Sequence, residues 1–336
     1  MSIIDTYKRI RSEKYLKETY EGKYAFVGLG QHSLSNLYPV IHYLQLPLKY
    51  ICVTSAGKAE LIGKKFPGVT GTTDLDAVLA DPEVKGVFVA ASPEAHFSIA
   101  QKVLQSGKSL FVEKPPVRNS RELEVLIGMK KGIATAGLQK RYSPAVKILK
   151  KKLSGEKLIS YDLHYCTGAY PEGNALTDLY IHPLDLVCHL FGKAGIAACE
   201  KTSPDSYLLM LRHKDICGTL ELSTDYSWAD ARENLSINTG TGLYRLDRLE
   251  RLTLSLKPAV IAGIPLEKAG LGKGGTRVLF EQNSFSPILN QNQVYTQGFF
   301  DEIRDFASRV EGRKADSLSE LESLRNTYSL LDSLAY

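Results

Sequence analysis

The chain has 336 residues, of which 43% are hydrophobic and 24% are charged, which excludes a disordered or fibrous protein and suits two globular domains. Its net charge of +5 is small and its basic residues alternate with acidic ones, so we expect neither a nucleic acid nor a membrane as a partner. We find no segment of about 18 apolar residues, no signal-peptide pattern and no metal-ligand spacing among five scattered cysteines, and therefore expect a cytoplasmic protein with reduced thiols.

The chain divides into three predicted segments. Residues 1–22 have apolar residues at helical spacing and predict an amphipathic helical arm. Residues 23–142 alternate apolar strands with amphipathic helices, which predicts an α/β domain with a doubly wound parallel sheet. Its predicted strands are 24–27, 48–53, 86–91, 109–112 and 133–137, and its predicted helices are 34–44, 58–66, 74–80, 94–105 and 120–130.

Residues 143–336 have a different rhythm and predict an α+β domain with an open, mostly antiparallel sheet. Its predicted elements are helices 144–153 and 176–191 and strands 157–166, 207–213, 218–224, 234–239 and 243–254. Residues 257–292 are rich in Gly, Pro, Lys and Asn and predict a long loop or insertion. Two closing helices, 296–311 and 319–334, are expected to return to the body of the protein.

A glycine turn follows the first predicted strand, with the sequence Gly28-Leu29-Gly30-Gln31-His32-Ser33. Between a strand and a helix, Gly28 allows the tight turn and Gly30 lets a pyrophosphate approach the backbone. The helix N-terminus attracts the anion, and Ser33 replaces the third glycine of the usual pattern. The segment predicts a dinucleotide site, against the alternative of a coincidental glycine turn.

The end of the second predicted strand indicates which dinucleotide is bound. No Asp or Glu stands there to bind the ribose 2′-hydroxyl of NAD. Ser55 at this position, with Lys58 just beyond, suits a 2′-phosphate, so the sequence favours NADP over NAD. The alternative is that Lys58 is only a surface residue of the next helix.

Three polar clusters follow successive strands of the predicted sheet, at 92–96, 113–115 and 139–142. Because ligands bind at the carboxyl ends of parallel strands, we expect these clusters to line one cleft. The first cluster contains Ser92, Pro93 and His96, the second contains Glu113 and Lys114, and the third contains Arg141 and Tyr142.

The second domain contributes Asp178, His182 and Asp185, which would share one face of a helix. Pro183 predicts that the helix begins or kinks there. Oxidation of an alcohol by hydride transfer needs a base, for which His182 is suitable, and a positive charge, which Lys114 would supply. Asp178 would hold the imidazole or a substrate hydroxyl. Zinc is the competing hypothesis, since His189 extends the stripe, but its apolar neighbours favour a site without metal.

These motifs resemble the glucose-fructose oxidoreductase / inositol dehydrogenase (Gfo/Idh/MocA) family from Tyr24 onward. The resemblance is carried by the glycine turn, the 92–96 and 113–115 clusters, Arg141-Tyr142-Ser143-Pro144 and the segment 178–185. Three positions depart from the family pattern. In family members the position of Tyr180 is often Gly, that of Glu94 is often Asn, and that of Ser55 is often acidic. Tyr180 would narrow the substrate pocket or add a hydroxyl to it.

The resemblance implies an N-terminal Rossmann domain and NAD(P)-dependent oxidation or reduction of a sugar, polyol or sugar derivative. It implies that Lys114 contacts substrate and nicotinamide, that Asp178 and His182 bind and deprotonate the reacting hydroxyl, and that the protein forms homodimers or homotetramers through its open sheet. We assign Arg141, Tyr142, Tyr180 and Asp178 to the substrate. We assign to the cofactor Gly28, Gly30, Gln31, His32, Ser33, Ser55, Lys58, Ser92, Pro93, His96, Glu113 and Lys114.

Two other functions remain open from the sequence. A bound NAD that oxidises transiently would assist cleavage of a glycoside without net redox change. A sensor or partner protein would bind the dinucleotide without catalysis, although such a protein has no need of Lys114, Asp178 and His182.

Overall fold

Six parallel strands form the first sheet of the computed structural model, which describes residues 2–271, 274–283, 285 and 292–335. The strands are β1 (Lys23–Val27), β2 (Leu48–Cys52), β3 (Thr70–Thr72), β4 (Val84–Val89), β5 (Ser109–Val112) and β6 (Ala134–Ala136). They lie in the order β3-β2-β1-β4-β5-β6. The order reverses between β1 and β4, and in such sheets a ligand binds in the crevice at the carboxyl ends of these strands.

Helices connect the parallel strands and complete the predicted doubly wound domain, which confirms this part of the fold. They are α2 (Tyr38–Tyr43), α3 (Ala56–Lys65), α4 (Leu75–Ala80), α5 (Pro93–Gln105) and α6 (Ser120–Met129), with α1 (Ile3–Lys17) before the first strand. A π-helical segment, Ser33–Leu37, runs directly into α2. The short strand β3 is absent from the prediction because three residues carry too little periodicity.

Aromatic rings fill the core around the first sheet. Phe88 in β4 lies 6.0 Å from Phe26 and 5.4 Å from Phe111, measured between ring centroids. Phe306 packs edge-on against Phe88 at 5.1 Å. The helix Phe299–Val310, which carries Phe306, therefore contributes its residues from Glu302 onward to the core of the first unit.

Eight strands form a second sheet, which confirms the predicted open and mostly antiparallel architecture. They are β7 (Leu158–Cys166), β8 (Ala194–Ser203), β9 (Ser206–His213), β10 (Cys217–Ser223), β11 (Arg232–Thr239), β12 (Gly242–Asp247), β13 (Arg251–Leu256) and, after the hairpin of β14 (Val260–Ile261) and β15 (Ile264–Pro265), β16 (Thr276–Glu281). Their order is β16-β13-β12-β11-β7-β10-β9-β8. β7 and β10 are parallel neighbours, whereas the other neighbouring pairs are antiparallel.

Several predictions for the second sheet were wrong. The predicted strand 243–254 is a hairpin of β12 and β13, which turns at Arg248 and Leu249 with positive φ of 46° and 61°. Strand β8 is missing from the prediction. The predicted loop 257–292 contains the β14–β15 hairpin and the edge strand β16, while its residues 272, 273, 284 and 286–291 lie outside the described part of the chain.

The remaining helices are α7 (Pro144–Leu153), α8 (Ala175–Asp178), α9 (Ile181–Phe191), α10 (Gln293–Thr296), α11 (Phe299–Val310) and α12 (Arg325–Leu334). The predicted helix 176–191 is divided into α8 and α9, in agreement with the expected start or kink near Pro183. Pro183 has no N–H to donate and is tolerated in the first turn of α9, where the donors have no partner within the helix.

The chain forms two units, each made of several segments. The first contains Met1–Val117, Glu124–Gly137 and Glu302–Leu321, and the second contains Arg118–Leu123, Leu138–Asp301 and Glu322–Tyr336. The chain therefore passes between the units several times. The predicted domain limits at residues 22 and 142 stay predictions.

Helix α1 (Ile3–Lys17) lies within residues 1–22, the segment predicted to be a helical arm. Ser2 caps it by accepting a hydrogen bond from the Asp5 backbone N–H at 3.1 Å, and the Asp5 carboxylate accepts one from the Ser2 N–H in return. Its Ile3 and Tyr7 side chains are exposed. Within the described part of the chain, no helix has the length and apolar content needed to cross a membrane.

Candidate active site

The glycine turn after β1 has the geometry of a dinucleotide cradle. Gly28 has φ of +85°, and a Cβ there would lie 2.5 Å from the carbonyl oxygen of Ala90, so no larger residue fits. At Gly30 a Cβ would meet no atom within 4 Å. The backbone at Gly30 is thus open to a group that must approach closely, as a pyrophosphate does.

The helical turn after the glycines begins with Gln31, His32 and Ser33. Gln31 is exposed and donates from Nε2 to the Ser35 hydroxyl at 2.9 Å, whereas Ser33 is buried. His32 accepts a hydrogen bond from the Asn36 amide at Nδ1 over 3.2 Å. Its other nitrogen, Nε2, therefore carries the proton and faces Glu113 Oε1 at 3.5 Å.

A groove of about 540 Å³ lies beside the glycine turn. Its floor is apolar and includes Leu29, Leu34 and Val53, while Lys58, Lys64 and Lys65 are among its lining residues. None of the described residues that line it is acidic. Such a groove suits an apolar ring with an added phosphate better than a bare ribose hydroxyl.

Ser55 has a local structural role. It is the N-cap of α3, and its hydroxyl oxygen accepts a hydrogen bond from the Lys58 N–H at 3.4 Å. Val53, the first residue after β2, lines the groove, and the sequence did not predict it as a residue of the binding region. Its apolar side chain gave no sign of a binding role.

Ser92 and Pro93 are exposed at the carboxyl end of β4, where they begin α5 as N-cap and first helical residue. His96 lies one turn later, is buried, and donates from Nδ1 to the carbonyl of Pro115 at 2.9 Å. Burial lowers the pKa of His96 despite that carbonyl. The ring therefore positions the turn after β5, and a direct contact of His96 with the cofactor stays a prediction.

Glu113 is a buried carboxylate at the carboxyl end of β5. Oε2 accepts a hydrogen bond from the Lys114 N–H at 3.1 Å, and a Cβ at Gly137 would lie 2.9 Å from its carboxyl carbon. Burial opposes ionisation, but His32 and Lys114 more than offset it, so the pKa of Glu113 lies below its ordinary value. Lys114 follows directly and is partly exposed.

These residues fit a dinucleotide. The open backbone at Gly30 and the helix N-terminus would bind the pyrophosphate, and the groove at Val53 would receive the adenosine end. Ser92 and Lys114, at the carboxyl ends of β4 and β5, stand where the nicotinamide end would extend.

Asp178 is the carboxylate of the second unit that was predicted to bind the reacting hydroxyl, and only 7% of its surface is exposed. Oδ2 accepts hydrogen bonds from the Asn174 N–H at 3.1 Å and the Tyr170 hydroxyl at 3.4 Å, and Oδ1 accepts one from the Thr177 hydroxyl at 3.1 Å. A Cβ at Gly173 would lie 2.4 Å from Oδ2. Asn174 and Tyr170 were not predicted as site residues, although an Asn after Gly at a helix start is a recognisable cap.

His182 lies in the first turn of α9 and is buried. Its backbone N–H donates to the Leu179 carbonyl at 3.2 Å, across the break between α8 and α9. Asp178 is the last residue of α8, so the break separates the two residues into different helices. The expected single helix face that would join Asp178, His182 and Asp185 is therefore wrong.

Arg141 and Asp185 form a buried ion pair, each with 2% of its surface exposed. Nε donates to Asp185 Oδ2 at 2.7 Å, Nη2 donates to Oδ1, and Nη1 donates to the Ser323 hydroxyl at 2.6 Å. Thr327 also donates to Asp185, at 3.1 Å. The guanidinium predicted to bind substrate is paired with protein partners, and a contact of Arg141 with substrate stays a prediction.

Two tyrosines predicted to bind substrate are buried. Tyr142 is fully buried, with Lys147 Nζ 5.6 Å from its ring centroid. Tyr180 is also fully buried, and its hydroxyl donates to the Asp205 carbonyl. Burial raises the pKa of Tyr180. Tyr180 is therefore held in place by the interior, and a substrate contact of either ring stays a prediction.

A further charged pair in the second unit was not predicted. Lys140 donates to Glu233 Oε1 at 2.5 Å, and its ammonium lies 5.0 Å from the ring centroid of Tyr165. Lys140 is almost fully buried. Glu233 comes from β11, more than 90 residues later, so no local pattern could indicate the pair.

His189, the candidate for an additional zinc ligand, lies beside a cation. Both ring nitrogens are 3.3 Å from Lys150 Nζ. Burial and the charges of Lys150 and Arg141 lower the pKa of His189 to about 3. In the described part of the chain, no three His, Cys, Asp or Glu side chains are grouped as a metal ion would require.

Comparison with known proteins gives a match to a family model. Residues 22–132 match GFO_IDH_MocA, the oxidoreductase family with an NAD-binding Rossmann fold. The matched residues include the glycine turn and the strand end that carries Lys114.

Curated relatives match over part of their length. The uncharacterised oxidoreductase YhhX of Escherichia coli is 29% identical over 40% of this chain and 45% of its own length. The inositol 2-dehydrogenase/D-chiro-inositol 3-dehydrogenase of Lactiplantibacillus plantarum is 25% identical over 51% and 53%. The UDP-N-acetylglucosamine 3-dehydrogenase of Acidithiobacillus ferrooxidans is 31% identical over 40% and 42%. The chain spans about half the length of these relatives.

Solved structures match over nearly the whole chain. A dehydrogenase of Chromobacterium violaceum superposes with a TM-score of 0.77 at 17% identity, covering 94% of this chain and 95% of that one. Levoglucosan dehydrogenase in complex with NADH and levoglucosan gives 0.76 at 17%, covering 94% and 96%. The 3-ketoreductase KijD10 of Actinomadura kijaniata with NADP gives 0.70 at 15%, covering 93% and 96%. At these identities the likeness concerns the fold.

Gly30 offers a test of the cradle. We expect Gly30→Val to weaken NADH and NADPH binding at least tenfold, because the side chain would fill the open space over the backbone. The free energy of unfolding should change by no more than about 0.5 kcal/mol, since nothing there is crowded. Fluorescence titration and urea unfolding measure the two effects. Gly128→Val, at an equally open position in α6, is the control; equal nucleotide affinities in both variants would contradict the assignment.

The Arg141–Asp185 pair predicts a stability effect. Arg141→Met should lower the free energy of unfolding by about 3–5 kcal/mol, because it leaves a buried carboxylate without its partner. The double variant Arg141→Met/Asp185→Leu should recover most of that loss in urea unfolding. Lys147→Met, which breaks a more exposed pair with Asp301, should cost about 0–1 kcal/mol. A fully stable Arg141→Met protein with lost turnover would instead favour substrate binding.

Proposed function

We propose that the chain is an oxidoreductase of the Gfo/Idh/MocA family, whose model with an NAD-binding Rossmann fold matches residues 22–132, and that it transfers a hydride between NAD(P) and a hydroxyl or ketone of a sugar, polyol or sugar derivative. The observation that carries the proposal is the glycine turn, open at Gly30 and followed by a helix N-terminus, together with a lysine at the end of β5. A pure binding protein needs the first feature and not the second.

Lys114 would act on the reacting oxygen. Its ammonium is a compact positive charge that stabilises the alkoxide as the hydroxyl loses its proton and the carbon loses its hydride. The buried Glu113 anion beside it and the His96–Pro115 hydrogen bond behind it fix the backbone from which Lys114 extends. This support keeps the charge in place without requiring a reorganisation during the reaction.

Asp178 and His182 would act on the reacting hydroxyl. The Asp178 carboxylate, oriented by Asn174 and Tyr170, accepts a hydrogen bond from the substrate. A ring nitrogen of His182 takes the hydroxyl proton in oxidation and returns it in reduction, which suits a group with an ordinary pKa of about 6.5. Bound NAD(P) supplies the hydride acceptor or donor.

The dinucleotide is proposed to be NADP rather than NAD. The groove beside the glycine turn has three lysines among its lining residues and no acidic residue among those described, which suits the charge of a 2′-phosphate. Ser55 keeps a hydroxyl proton to donate, because it uses only its oxygen in capping α3. Among proteins of similar fold, KijD10 is in complex with NADP and levoglucosan dehydrogenase is in complex with NADH, so the fold alone does not select one dinucleotide.

A carbohydrate-like substrate agrees with the relatives named for inositol and UDP-N-acetylglucosamine. Homodimers or homotetramers are proposed to form through the second sheet. Its strand β9 exposes Leu208 and Met210, which are 48% and 43% exposed, and burial of such side chains stabilises association. Light scattering on the purified protein tests this part, and a monomer would contradict it.

Lys114 gives the sharper of two kinetic tests. Lys114→Ala should leave dinucleotide affinity within about tenfold while removing most turnover, because its charge is needed chiefly in the transition state. Nucleotide titration and steady-state kinetics separate the two effects. Lys102→Ala, at an exposed ion pair on α5, is the matched control and should retain turnover. An unchanged kcat in Lys114→Ala would remove this residue from the mechanism.

His182 predicts the pH dependence of oxidation. In the wild type, the rate of oxidation should fall toward acidic pH, because the protonated imidazole cannot accept the hydroxyl proton. His182→Ala should have a low rate without this acidic limb. His42→Ala, an exposed histidine of α2, should keep the wild-type profile. An acidic limb that persists in His182→Ala would assign the base to another residue.

A further inference from the structure

Two loops of the second unit leave the sheet at the same end. Because β7 and β10 are parallel neighbours, the loops that follow them, 167–174 and 224–231, start side by side. Backbone hydrogen bonds join the loops: Thr167 N–H donates to the Ser223 carbonyl at 2.8 Å, and Tyr226 N–H donates to the Thr167 carbonyl at 2.9 Å. The two loops therefore form one continuous surface.

The second loop carries Trp228, the one tryptophan of the chain. Its indole N–H donates to the Ala169 carbonyl at 2.8 Å. The ring rests on Gly168, where a Cβ would lie 2.5 Å from Cδ1 and 3.0 Å from Nε1. The ring is thus fixed in orientation, yet 52% of the residue is exposed. Since the N–H is already bonded, the exposed part offers an apolar π face.

Tyr170 connects this indole to Asp178. Its ring centroid lies 6.4 Å from that of Trp228, with the planes inclined by 58°, and its hydroxyl donates to Asp178 Oδ2 at 3.4 Å. Gly173 makes room for this arrangement, because a Cβ there would lie 2.8 Å from Tyr170 Cε1. Two aromatic rings therefore lead, within a single unit, to the carboxylate assigned to the reacting hydroxyl.

Resting on the proposed function, in which Asp178 binds the reacting hydroxyl, we propose that Trp228 and Tyr170 form a stacking subsite for the outer ring of a substrate that has more than one ring. The reacting sugar occupies the Asp178 end, and the outer ring lies against the exposed indole. That outer ring is a second sugar or a nucleobase, since each offers an apolar or π face to an aromatic side chain. A single-ring sugar reaches Asp178 without covering Trp228.

Tyr226 lies in the same loop as Trp228, but its ring and hydroxyl both interact with other side chains of the protein. Its hydroxyl donates to Asp230 Oδ2 at 2.6 Å, and the guanidinium of Arg232 lies 4.5 Å from its ring centroid. Tyr226 is 43% exposed, a fraction similar to that of Trp228. Its side-chain hydrogen bonds within the described part of the chain join it to Asp230 and Arg232, and not to Asp178 or Tyr170. It therefore serves as the matched control.

The single tryptophan makes the subsite directly observable, because selective excitation reports on Trp228 alone. The full-length protein is titrated without dinucleotide, using glucose, maltose and UDP-glucose as probes. We expect a saturable change in emission with maltose or UDP-glucose and a much weaker one with glucose. The more effective of maltose and UDP-glucose identifies the outer ring as a sugar or as a base.

Variants separate stacking from folding. Gly168→Val displaces the indole without altering Asp178 and should weaken binding of the more effective probe, maltose or UDP-glucose, about tenfold or more, as measured by calorimetry. Trp228→Phe keeps a π face and should retain more affinity than Trp228→Ala. Tyr226→Ala should bind as the wild type does. Glucose affinity should be equal in all four variants.

Unchanged emission with all three probes, or wild-type affinity in Trp228→Ala, would overturn the subsite. Emission that depends on protein concentration and not on the probes would also overturn it, because the ring would then lie between two copies of the chain. Failure of the proposed function is a different result. Binding reported by Trp228 without hydride transfer would refute the oxidoreductase assignment, whereas hydride transfer without any change in Trp228 emission would refute only the subsite.

Discussion

The buried carboxylate of Glu113 is the charge on which the arrangement of the first unit's strand ends depends. Burial alone would favour its neutral form, but the His32 imidazole and the Lys114 ammonium keep its pKa below the ordinary value. The anion thus connects the glycine turn, through His32, with the end of β5 and the bare backbone at Gly137. Removing it would leave Lys114 in the sequence but without the fixed backbone that a preorganised charge requires.

The second unit holds its carboxylate by a different means. Asn174 stands at the start of the short helix α8, where its backbone N–H has no partner within the helix and donates to the carboxylate of Asp178 at the end of the same helix. The next helix, α9, begins beside His182. Glycines on both sides of Tyr170 let the loop lie flat against Asp178 and Trp228. The buried Arg141–Asp185 ion pair stabilises the same unit, which gives Arg141 a structural contact in addition to the substrate contact proposed for it.

Local patterns predicted what depends on local sequence: the strand-glycine-helix order, the alternation that builds the parallel sheet, and the helix start near Pro183. They failed where long-range partners decide. The contacts of Arg141, Tyr142 and Tyr180 with Asp185, Lys147 and Asp205 were not predicted, and the assignment of these three residues to substrate stays a prediction. The Lys140–Glu233 pair and the approach of Trp228 to Gly168 join segments far apart in the chain, and a strand such as β8, exposed along most of its length, has no alternating pattern to detect.

Transfer of the hydride itself is the most direct test of the proposed function. The purified protein is incubated with NADPH or NADH that carries deuterium at nicotinamide C4 and with a set of keto-sugars, and the products are analysed by mass spectrometry. The proposed function predicts deuterium on carbon in a reduced sugar, with faster transfer from NADPH. Tight nucleotide binding without any transfer of label would contradict it and leave a dinucleotide-binding sensor as the better description.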